Sequence, residues 1–472
     1  MLDRATAMRT EGCPVRLADL VDDDAVCLLR NAASAALGDQ NESARYFGLT
    51  PYSDQSAEGR LGFFVGIGRL SEAPARVLRV GPREFGGNGA EFCIDYLALY
   101  AACAVDPEVS SHLDQCLSVY SDEAPIDAPD EGVWSPLIAL AYLKAVHDLV
   151  QRHLRRGFIS REEDLRDRIR GQVAFGRYAA RSLARGHPEI VPCRFQALEQ
   201  DTLENRILRT ALTCARQLLD GAAGQGFGGP EAAWRIWSRQ ADAALAGAAI
   251  ARITPRDFHV ARKAGAYRHY ARPLALARAV LTRTGFDPNQ PVPQAAARLV
   301  PFRLATPELF ERYVELCLRR IAGWKIWAGY HDQNLVEKGK SFMVRPDFLA
   351  WQGDRRVIVD AKYKNLSTQR PGGADDDNPL RWDVYQTLAY SRHRAVKRTF
   401  SPEPPNEPSA IVLCYPARAS TDALSEAGSA LQAALTGENP IVRPHICDFD
   451  LPVVLVGLPV PTVPGNGIGP GA

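Results

Sequence analysis

The spacing of apolar residues changes along the chain and marks its regions. Between residues 133 and 290 apolar positions return about every 3.6 residues, the spacing of amphipathic helices. Before and after this stretch, short runs of β-branched and aromatic residues, bounded by turn-forming residues, predict strands. We therefore predict an α/β chain with a β-rich N-terminal domain (1–132), a mainly helical region (133–290), an α/β domain (291–460) and a disordered tail (461–472).

Two stretches of the helical region carry local signals. Residues 160–163, S-R-E-E, have the form of a capped helix start, in which a hydroxyl and a carboxylate bond to the first turn. We predict a helix there and a second one over residues 201–219. On the second helix we interpret Asp201, Asn205 and Arg206 as a polar knot that fixes the fold, in preference to a catalytic role.

Residues 155–170 are rich in arginine. One interpretation is a face that contacts phosphates, because a guanidinium group can bind phosphate through two hydrogen bonds. The other is a solvated face of ion pairs, because acidic residues are interleaved with the arginines along this stretch. We favour the ion-paired face.

Residues 343–362 predict two strands joined by a tight turn. The turn is Gln352-Gly353-Asp354, and the β-branched run V-I-V opens the second strand. Because side chains alternate across a strand, Asp360 and Lys362 point to one face. Asp347 lies on the partner strand and could reach the same place. The pattern therefore predicts two carboxylates and one ammonium at a strand end.

A run this apolar seldom holds three charges without a purpose. Two close carboxylates repel each other and favour a cation between them, and their oxygens are hard ligands suited to Mg²⁺. A lysine beside such an ion can orient water or meet the charge of a scissile phosphate. The residues thus suggest metal-assisted phosphodiester hydrolysis. The alternative is a pair of edge strands in which Lys362 neutralises Asp360.

The pattern P-D, a gap, then D-A-K resembles the signature of the PD-(D/E)XK nucleases. Gln386 and Tyr390, four residues apart on the next predicted helix, resemble the additional motif of the RecB-like branch. Glu311, on an upstream helix, resembles the acidic residue of the first core helix. The resemblance implies a restriction-endonuclease-like core, a mixed sheet flanked by helices.

Three further segments narrow the resemblance to McrC, the nuclease subunit of the McrBC modification-dependent restriction systems. These are D-A-K-Y-K followed by Asp383, Gln386 and Tyr390; the R-G-x-V segment at residues 169–173; and D-T-L-E-N-R-I-L at residues 201–208. Together they cover about residues 140–415 in the family's order. No residue of the N-terminal third matches closely enough to receive a role.

This resemblance implies a set of roles. Asp347, Asp360, the Ala361 carbonyl and Glu311 would hold Mg²⁺, for which Mn²⁺ could substitute. Lys362 would position the attacking water, and Gln386 and Tyr390 would orient the lysine and the DNA strand. The implied partners are DNA, modified in the family's systems, and an AAA+ GTPase or ATPase ring similar to McrB. The N-terminal region would dock on that ring.

Composition excludes several other classes of protein. Lysine and arginine (56) nearly balance aspartate and glutamate (55), which argues against a surface that is positively charged throughout and binds nucleic acid nonspecifically. A local basic groove stays possible. Ten cysteines without a C-x-x-C pair do not suggest a zinc site or a disulfide framework, and they favour a reducing cytoplasm. No apolar run reaches the length of a membrane span.

Two other functions fit the same residues. A stand-alone RecB-like repair nuclease would cut DNA without any motor. An adaptor subunit would stimulate a motor ring and never cut. The complete Asp347, Asp360 and Lys362 set favours a nuclease, because an inactive site has no need of three charges in an apolar setting.

Overall fold

The chain folds into two compact units whose limits differ from the predicted domain boundaries. One is the bipartite unit, Met1–Ser118 together with Pro301–Ala472, and the other is the middle unit, Val119–Val300. The computed structural model describes residues 6–10, 14–16, 50–51, 58–60, 62–72, 75–86, 91–127, 134–223, 233–284, 298–329, 345–365, 379–401, 406–437 and 451–463. Most of the predicted tail, from residue 464 onward, lies outside these residues.

The N-terminal stretch is rich in short strands, as predicted. Its described strands are β1 (Thr6–Thr10), β2 (Pro14–Arg16), β3 (Thr50–Pro51), β4 (Glu58–Arg60), β5 (Phe64–Glu72), β6 (Ala75–Gly81), β7 (Glu84–Phe85), β8 (Phe92–Cys93) and β9 (Leu117–Val119). Its helices are α1 (Tyr96–Val105), α2 (Pro107–Ser110) and α3 (Leu113–Cys116). The Asp95 side chain caps α1 by accepting from the Ala98 amide at 3.0 Å.

The middle unit combines helices with a small sheet. Its strands are β10 (Ile126–Asp127), β11 (Gly157–Arg166), β12 (Gln172–Val173), β13 (Ile190–Glu199) and β14 (Arg298–Leu299). Its helices are α4 (Trp134–Arg152), α5 (Phe175–Arg177), α6 (Leu203–Ala223), α7 (Ala233–Ala244), α8 (Asp257–Val260) and α9 (Ala271–Thr284). A π turn and a 3₁₀ turn follow α5, and the 3₁₀ segment Gly265–Tyr270 leads into α9. Helix α4 packs against α6, α7 and α9, and these helices form the core of the unit.

The helix predicted to start at Ser160 is wrong, because this residue lies within strand β11. Strand β11 pairs antiparallel with β13 over ten residues, from Gly157 opposite Glu199 to Arg166 opposite Ile190. The S-R-E-E capping pattern is local, whereas the ladder depends on a partner about thirty residues away. The backbone hydrogen bonds with the partner strand therefore outweigh the local preference of these residues for a helix. We call residues 157–199 the β arm.

The C-terminal stretch contains a mixed sheet flanked by helices. Its strands are β15 (Phe302–Ala305), β16 (Lys325–Ala328), β17 (Phe348–Gln352), β18 (Arg355–Ala361), β19 (Ala410–Arg418) and β20 (Val453–Val460). Its helices are α10 (Thr306–Arg320), α11 (Pro379–Arg392), α12 (Arg394–Phe400) and α13 (Ala423–Thr436). The sheet order is β16-β17-β18-β19-β20, antiparallel up to β18 and parallel beyond it.

Strand β15 explains why the chain's two ends share one unit. It lies between β5 and β9 in a five-stranded sheet and pairs antiparallel with β5, with Arg303 opposite Gly66. A Cβ atom at Gly66 would collide with the Phe302 carbonyl, so this close approach requires glycine. Such pairing joins segments more than two hundred residues apart, and the local patterns used to place boundaries near residues 132 and 290 do not reveal it.

The central strands of the mixed sheet are buried on both faces. Leu349, Ile358 and Leu413 pack with the apolar side of α11 and α12. Helices α10 and α13 contact the sheet as well, at β18 and β20. Among the described residues, no helix is both long and apolar enough to cross a membrane.

Candidate active site

The predicted carboxylates meet where two antiparallel strands end. Asp347 directly precedes β17, and Asp360 is the second-last residue of β18. The register places Phe348 opposite Val359, so the two aspartates lie at the same end of the hairpin. Asp347 Oδ2 accepts a hydrogen bond of 2.7 Å from the Ala361 amide, and this bond anchors the carboxylate to the neighbouring strand.

Lys362 connects the strand end to helix α11. Its ammonium forms an ion pair with Asp360 Oδ2 and donates to Gln386 Oε1 at 3.0 Å. Gln386 Nε2 donates in turn to the Tyr390 hydroxyl at 2.6 Å. The helix contributes both side chains because residues four apart lie on one face. The structure thus joins Asp360, Lys362, Gln386 and Tyr390 in one continuous polar chain.

The electrostatics of the strand end favour a bound cation. Burial raises the pKa of Asp347 well above its ordinary value, and the carboxylates of Asp360 and Glu311 raise it further. Burial also raises the pKa of Asp360, and the Lys362 ammonium opposes this rise only in part. Burial alone would lower the pKa of Lys362, but Asp360 and the other nearby carboxylates raise it above its usual range. The lysine therefore stays charged and the carboxylates repel one another.

Glu311 lies near this site, and its carboxylate is bonded to the neighbouring Arg312. The Arg312 guanidinium bonds the Glu311 carboxylate, and it also donates to Glu315 Oε2 at 3.1 Å. Burial raises the pKa of Glu311, and Arg312 opposes the rise. The charge of Glu311 acts on the aspartates, while one of its oxygens, Oε1, accepts from the Arg312 guanidinium. Its role as a metal ligand stays a prediction.

The donor set suits a hard cation, with two carboxylates as its centre. No group of three or more His, Cys, Asp or Glu side chains is arranged to hold a metal ion among the described residues. However, Asp360 Oδ2 is buried, and the contact it makes within the described part of the chain is the ion pair with the Lys362 ammonium. The buried carboxylates of Asp347 and Asp360 still repel each other beside this one ammonium, and a divalent cation would relieve that repulsion. The two aspartates with the Ala361 carbonyl fit Mg²⁺.

Lys364 and Asp383 form a second ion pair beside the site, and the sequence did not predict this pairing. Asp383 is 4% exposed, and its carboxylate accepts from Lys364 Nζ at 2.6 Å and from the Tyr415 hydroxyl at 3.1 Å. Burial raises the pKa of Tyr415, and Asp383 raises it further. Lys364 and Asp383 both stand in the recognised motif, but only the folded sheet brings Tyr415 from β19 to them.

Two of the motif segments have structural roles in the middle unit. Asn205 Nδ2 donates to the carbonyls of Arg155 (2.9 Å) and Gln200 (2.7 Å), and its Oδ1 accepts from the Tyr270 hydroxyl at 2.9 Å. Arg206 forms two hydrogen bonds with Asp201, of 2.7 and 2.6 Å. The prediction of a polar knot is therefore confirmed.

The R-G-x-V segment forms the turn that leads into β12. Gly171 has φ of +68°, and a Cβ atom there would lie 2.5 Å from the Arg194 carbonyl oxygen. Glycine is required on both counts. The neighbouring Arg170 guanidinium lies over the Phe195 ring, 4.2 Å from its centroid, and this contact holds the turn against β13.

The fold and the strand-end charges define an α/β protein with a compact polar site on a mixed sheet. Residues 111–400 match the family model of the McrBC 5-methylcytosine restriction system component, which covers more than half of the chain. The chain belongs to this family, and the resemblance to McrBC systems noted in its sequence is confirmed at that level. No curated protein matches the chain.

Solved structures from Thermococcus gammatolerans are similar to the chain. One is a half-complex from a tetradecameric assembly of McrB AAA+ hexamers with bound McrC, with 15% identity and a TM-score of 0.39, covering 96% of this chain and 94% of that one. Another is the McrBC complex, with 15% identity and a TM-score of 0.30, covering 67% of this chain and 88% of that one.

Proposed function

We propose that the protein is the DNA-cleaving subunit of an McrBC-type restriction system, similar to McrC. It would be a Mg²⁺-dependent endonuclease of the PD-(D/E)XK type. The observation that carries this proposal is the continuous polar chain Asp360, Lys362, Gln386 and Tyr390 beside Asp347, built at adjacent strand ends. Family membership supports the restriction system, and the site supports the nuclease subunit.

The order of elements supports the nuclease core. Helix α10 and strand β16 precede the antiparallel strands β17 and β18, helices α11 and α12 follow them, and β19 adds in parallel. Apart from the additional β16 and α12, this is the helix, strand, strand, helix, strand order of the nuclease family core that the sequence resembles. In this arrangement the motif residues fall at the ends of buried strands, where backbone pairing fixes their positions.

Each residue of the site would have a distinct task. Asp347, Asp360 and the Ala361 carbonyl would hold Mg²⁺ or Mn²⁺. Such an ion, when bound, acts as a Lewis acid toward the phosphate and lowers the pKa of a bound water. Lys362 would orient the attacking water with its ammonium. Gln386 and Tyr390 hold that ammonium in place by two successive hydrogen bonds.

The partner is proposed from the family. The solved McrC neighbour is bound to McrB AAA+ hexamers, and we propose a similar GTP- or ATP-driven ring for this chain. The ring would recognise modified DNA and translocate it, and this subunit would cut. The described cysteines are all free thiols, which fits the cytoplasm as the place of action.

The test is cleavage of methylated and unmethylated plasmid with Mg²⁺, with and without the co-purifying ring NTPase. Wild type is compared with Asp360→Asn and Lys362→Met. The matched control is Asp354→Asn, an exposed aspartate in the turn at the other end of the same hairpin. We expect cleavage only with the ring, retained in the control and lost in the two site variants.

The other outcomes would assign other functions. Cleavage by the protein alone, lost in Asp360→Asn, would replace the proposal with a stand-alone RecB-like nuclease. An absence of cleavage under all conditions, with stimulation of the ring's NTPase unchanged in every variant, would replace it with an adaptor.

A further inference from the structure

Two cavities in the middle unit share Arg152 and His153 and together form a cleft. The first, of about 430 Å³, is lined by Arg152, His153, Gly265, Ala266, Arg268 and His269. The second, of about 450 Å³, is lined by Val150, Arg152, His153, Leu154, Arg156, Gln200 and Ala244. We call this the basic cleft, because its linings contain three arginines, two histidines and no acidic residue.

The arginines of the basic cleft differ from those of the β arm. On the arm, Arg161 lies 2.6 Å from Glu199 and Arg166 lies 3.3 Å from Glu189. The prediction that these two arginines form ion pairs is therefore confirmed, but their partners are Glu199 and Glu189 and not the acids interleaved with them. In contrast, Arg152, Arg156 and Arg268 form no ion pair within the described residues. All three are exposed at the cleft, so their guanidinium groups are available to an anion.

The walls of the cleft are held in place by the polar knot. The Arg155 amide donates to the Tyr270 hydroxyl at 2.6 Å, which ties the segment after α4 to the 3₁₀ segment before α9. Asn205 links the same two segments, because it accepts from the Tyr270 hydroxyl and donates to the Arg155 carbonyl. The cations at residues 152, 156 and 268 therefore stand on backbone segments that hydrogen bonds connect to each other, as a binding site requires.

A simpler account explains only part of this arrangement. Arg152 ends helix α4, and a cation there is favoured by the negative end of the helix macrodipole. Arg156 lies beyond the helix end, and Arg268 comes from a different segment. The convergence of all three on one cleft without carboxylates is not a consequence of the helix dipole.

We infer that the basic cleft binds the sugar-phosphate backbone of DNA, as a contact separate from the active site. Cations are spread over both cavities, which suits an extended polyanion better than a single phosphate. Arginine suits phosphate because its fork of donors matches two phosphate oxygens. Contacts to phosphate carry no sequence information, so binding here is independent of sequence. The inference rests on the proposed function only in taking DNA as the substrate.

The test is fluorescence anisotropy of a short labelled DNA duplex with the full chain, in an Asp360→Asn background and without divalent metal. The cleft variant replaces Arg152, Arg156 and Arg268 by glutamine. The matched control replaces Arg239, Arg252 and Arg256 by glutamine as well. These are three exposed arginines of the same unit that line neither cavity. Both variants remove the same charge, so only position distinguishes them.

We expect the cleft variant to bind at least about tenfold more weakly. The slope of log affinity against log salt should fall by about 0.9 for each phosphate that the protein no longer neutralises. The control variant should keep the wild-type slope. Equal weakening in the two variants would overturn the inference, because the effect would then be one of overall charge. An absence of duplex binding, with binding of GTP or inorganic phosphate in its place, would also overturn it.

Two further measurements keep the test decisive. If the triple variant does not fold, Arg268→Gln alone should lower the slope by about 0.9, and Arg268→Lys should restore most of it. The readout needs neither cleavage nor metal. If the protein does not cleave DNA, duplex binding by the basic cleft can still be measured. If the cleft variant binds the duplex as tightly as wild type, cleavage at the active site is unaffected and the nuclease proposal stands.

Discussion

Asp347 is bound to the backbone of Ala361, the residue that follows the second aspartate of the site. The Ala361 amide donates to Asp347 Oδ2 at 2.7 Å across the ends of β17 and β18. This single bond sets the position of the first carboxylate relative to Asp360 and Lys362. It also leaves the second oxygen of Asp347 for another partner, which in the proposed function is the metal ion.

Removing one of the buried negative charges should stabilise the metal-free protein. The pKa values of Asp347 and Asp360 are raised above the ordinary 3.8, so these carboxyls hold protons more tightly in the folded chain than in the unfolded chain. Their contribution to stability is present in acid and is lost as pH rises through the folded pKa values. In EDTA near pH 8, Asp347→Asn should therefore melt at a higher temperature than wild type.

The sign of this effect can be checked with pH and metal. The advantage of Asp347→Asn should shrink as the pH falls toward the ordinary aspartate value of 3.8. Added Mg²⁺ should raise the melting temperature of wild type and not that of the variant, because a ligand stabilises only the state that binds it. Asp354→Asn should behave as wild type throughout. An unchanged melting temperature of Asp347→Asn in EDTA would contradict the raised pKa.

Gln386 and Tyr390 should act as one unit in positioning Lys362. Gln386→Ala removes the acceptor of the lysine ammonium, and we expect a fall in kcat of about tenfold or more with KM little changed. Tyr390→Phe removes only the hydroxyl that accepts from Gln386, and it should cost less. The measurement is single-turnover cleavage by the complete complex.

The double variant separates a chain of hydrogen bonds from two independent contacts. Since the hydroxyl acts through the glutamine, Gln386→Ala with Tyr390→Phe should be no slower than Gln386→Ala alone. Independent, multiplicative losses would contradict the coupling seen at 3.0 and 2.6 Å.

Gly171→Ala should destabilise the β arm. The residue has φ of +68°, and the new Cβ atom would lie 2.5 Å from the Arg194 carbonyl oxygen. The strain of a left-handed residue alone is about 1–3 kcal/mol, and the clash adds to it. Gly176→Ala is the control, because a Cβ atom there meets nothing within 4 Å. Thermal unfolding and limited proteolysis of the arm measure the difference, and equal behaviour of the two variants would count against the turn geometry.

Asn205→Asp should destabilise the middle unit although it is nearly isosteric. The aspartate cannot donate to the carbonyls of Arg155 and Gln200, which the asparagine satisfies at 2.9 and 2.7 Å. The Gln200 carbonyl keeps the Thr202 amide as a donor at 2.7 Å, whereas the Arg155 carbonyl loses the asparagine donor. A buried polar group left without a partner costs about 1–3 kcal/mol. Urea unfolding should show a loss of that order. Asp220→Asn, an exposed change on the same helix, should leave the free energy of unfolding unchanged.

The same knot links stability to the basic cleft. If Asn205 holds the cleft walls, Asn205→Asp should also weaken duplex binding, although it touches neither cavity. Duplex binding that stays at the wild-type level in a destabilised Asn205→Asp protein would show that the walls do not need the knot.

The sequence by itself determined the local parts of this protein. The hairpin with Asp347, Asp360 and Lys362, and the i, i+4 pair Gln386 and Tyr390, follow from strand alternation and helix periodicity between near neighbours. The helices of the middle unit follow from the same periodicity. These patterns can be read from the sequence because residues a few positions apart share one face of a single helix or strand.

Only the tertiary structure decided which distant segments meet. The residues 160–163 carry a helix signal but form a strand, because β13 offers ten residues of backbone pairing. Strand β15 joins β5 and merges the chain's two ends in one unit. Tyr415 on β19 donates to Asp383 on helix α11. Each of these outcomes depends on a partner that no local pattern specifies, since pairing energy is gained only when the chain has folded.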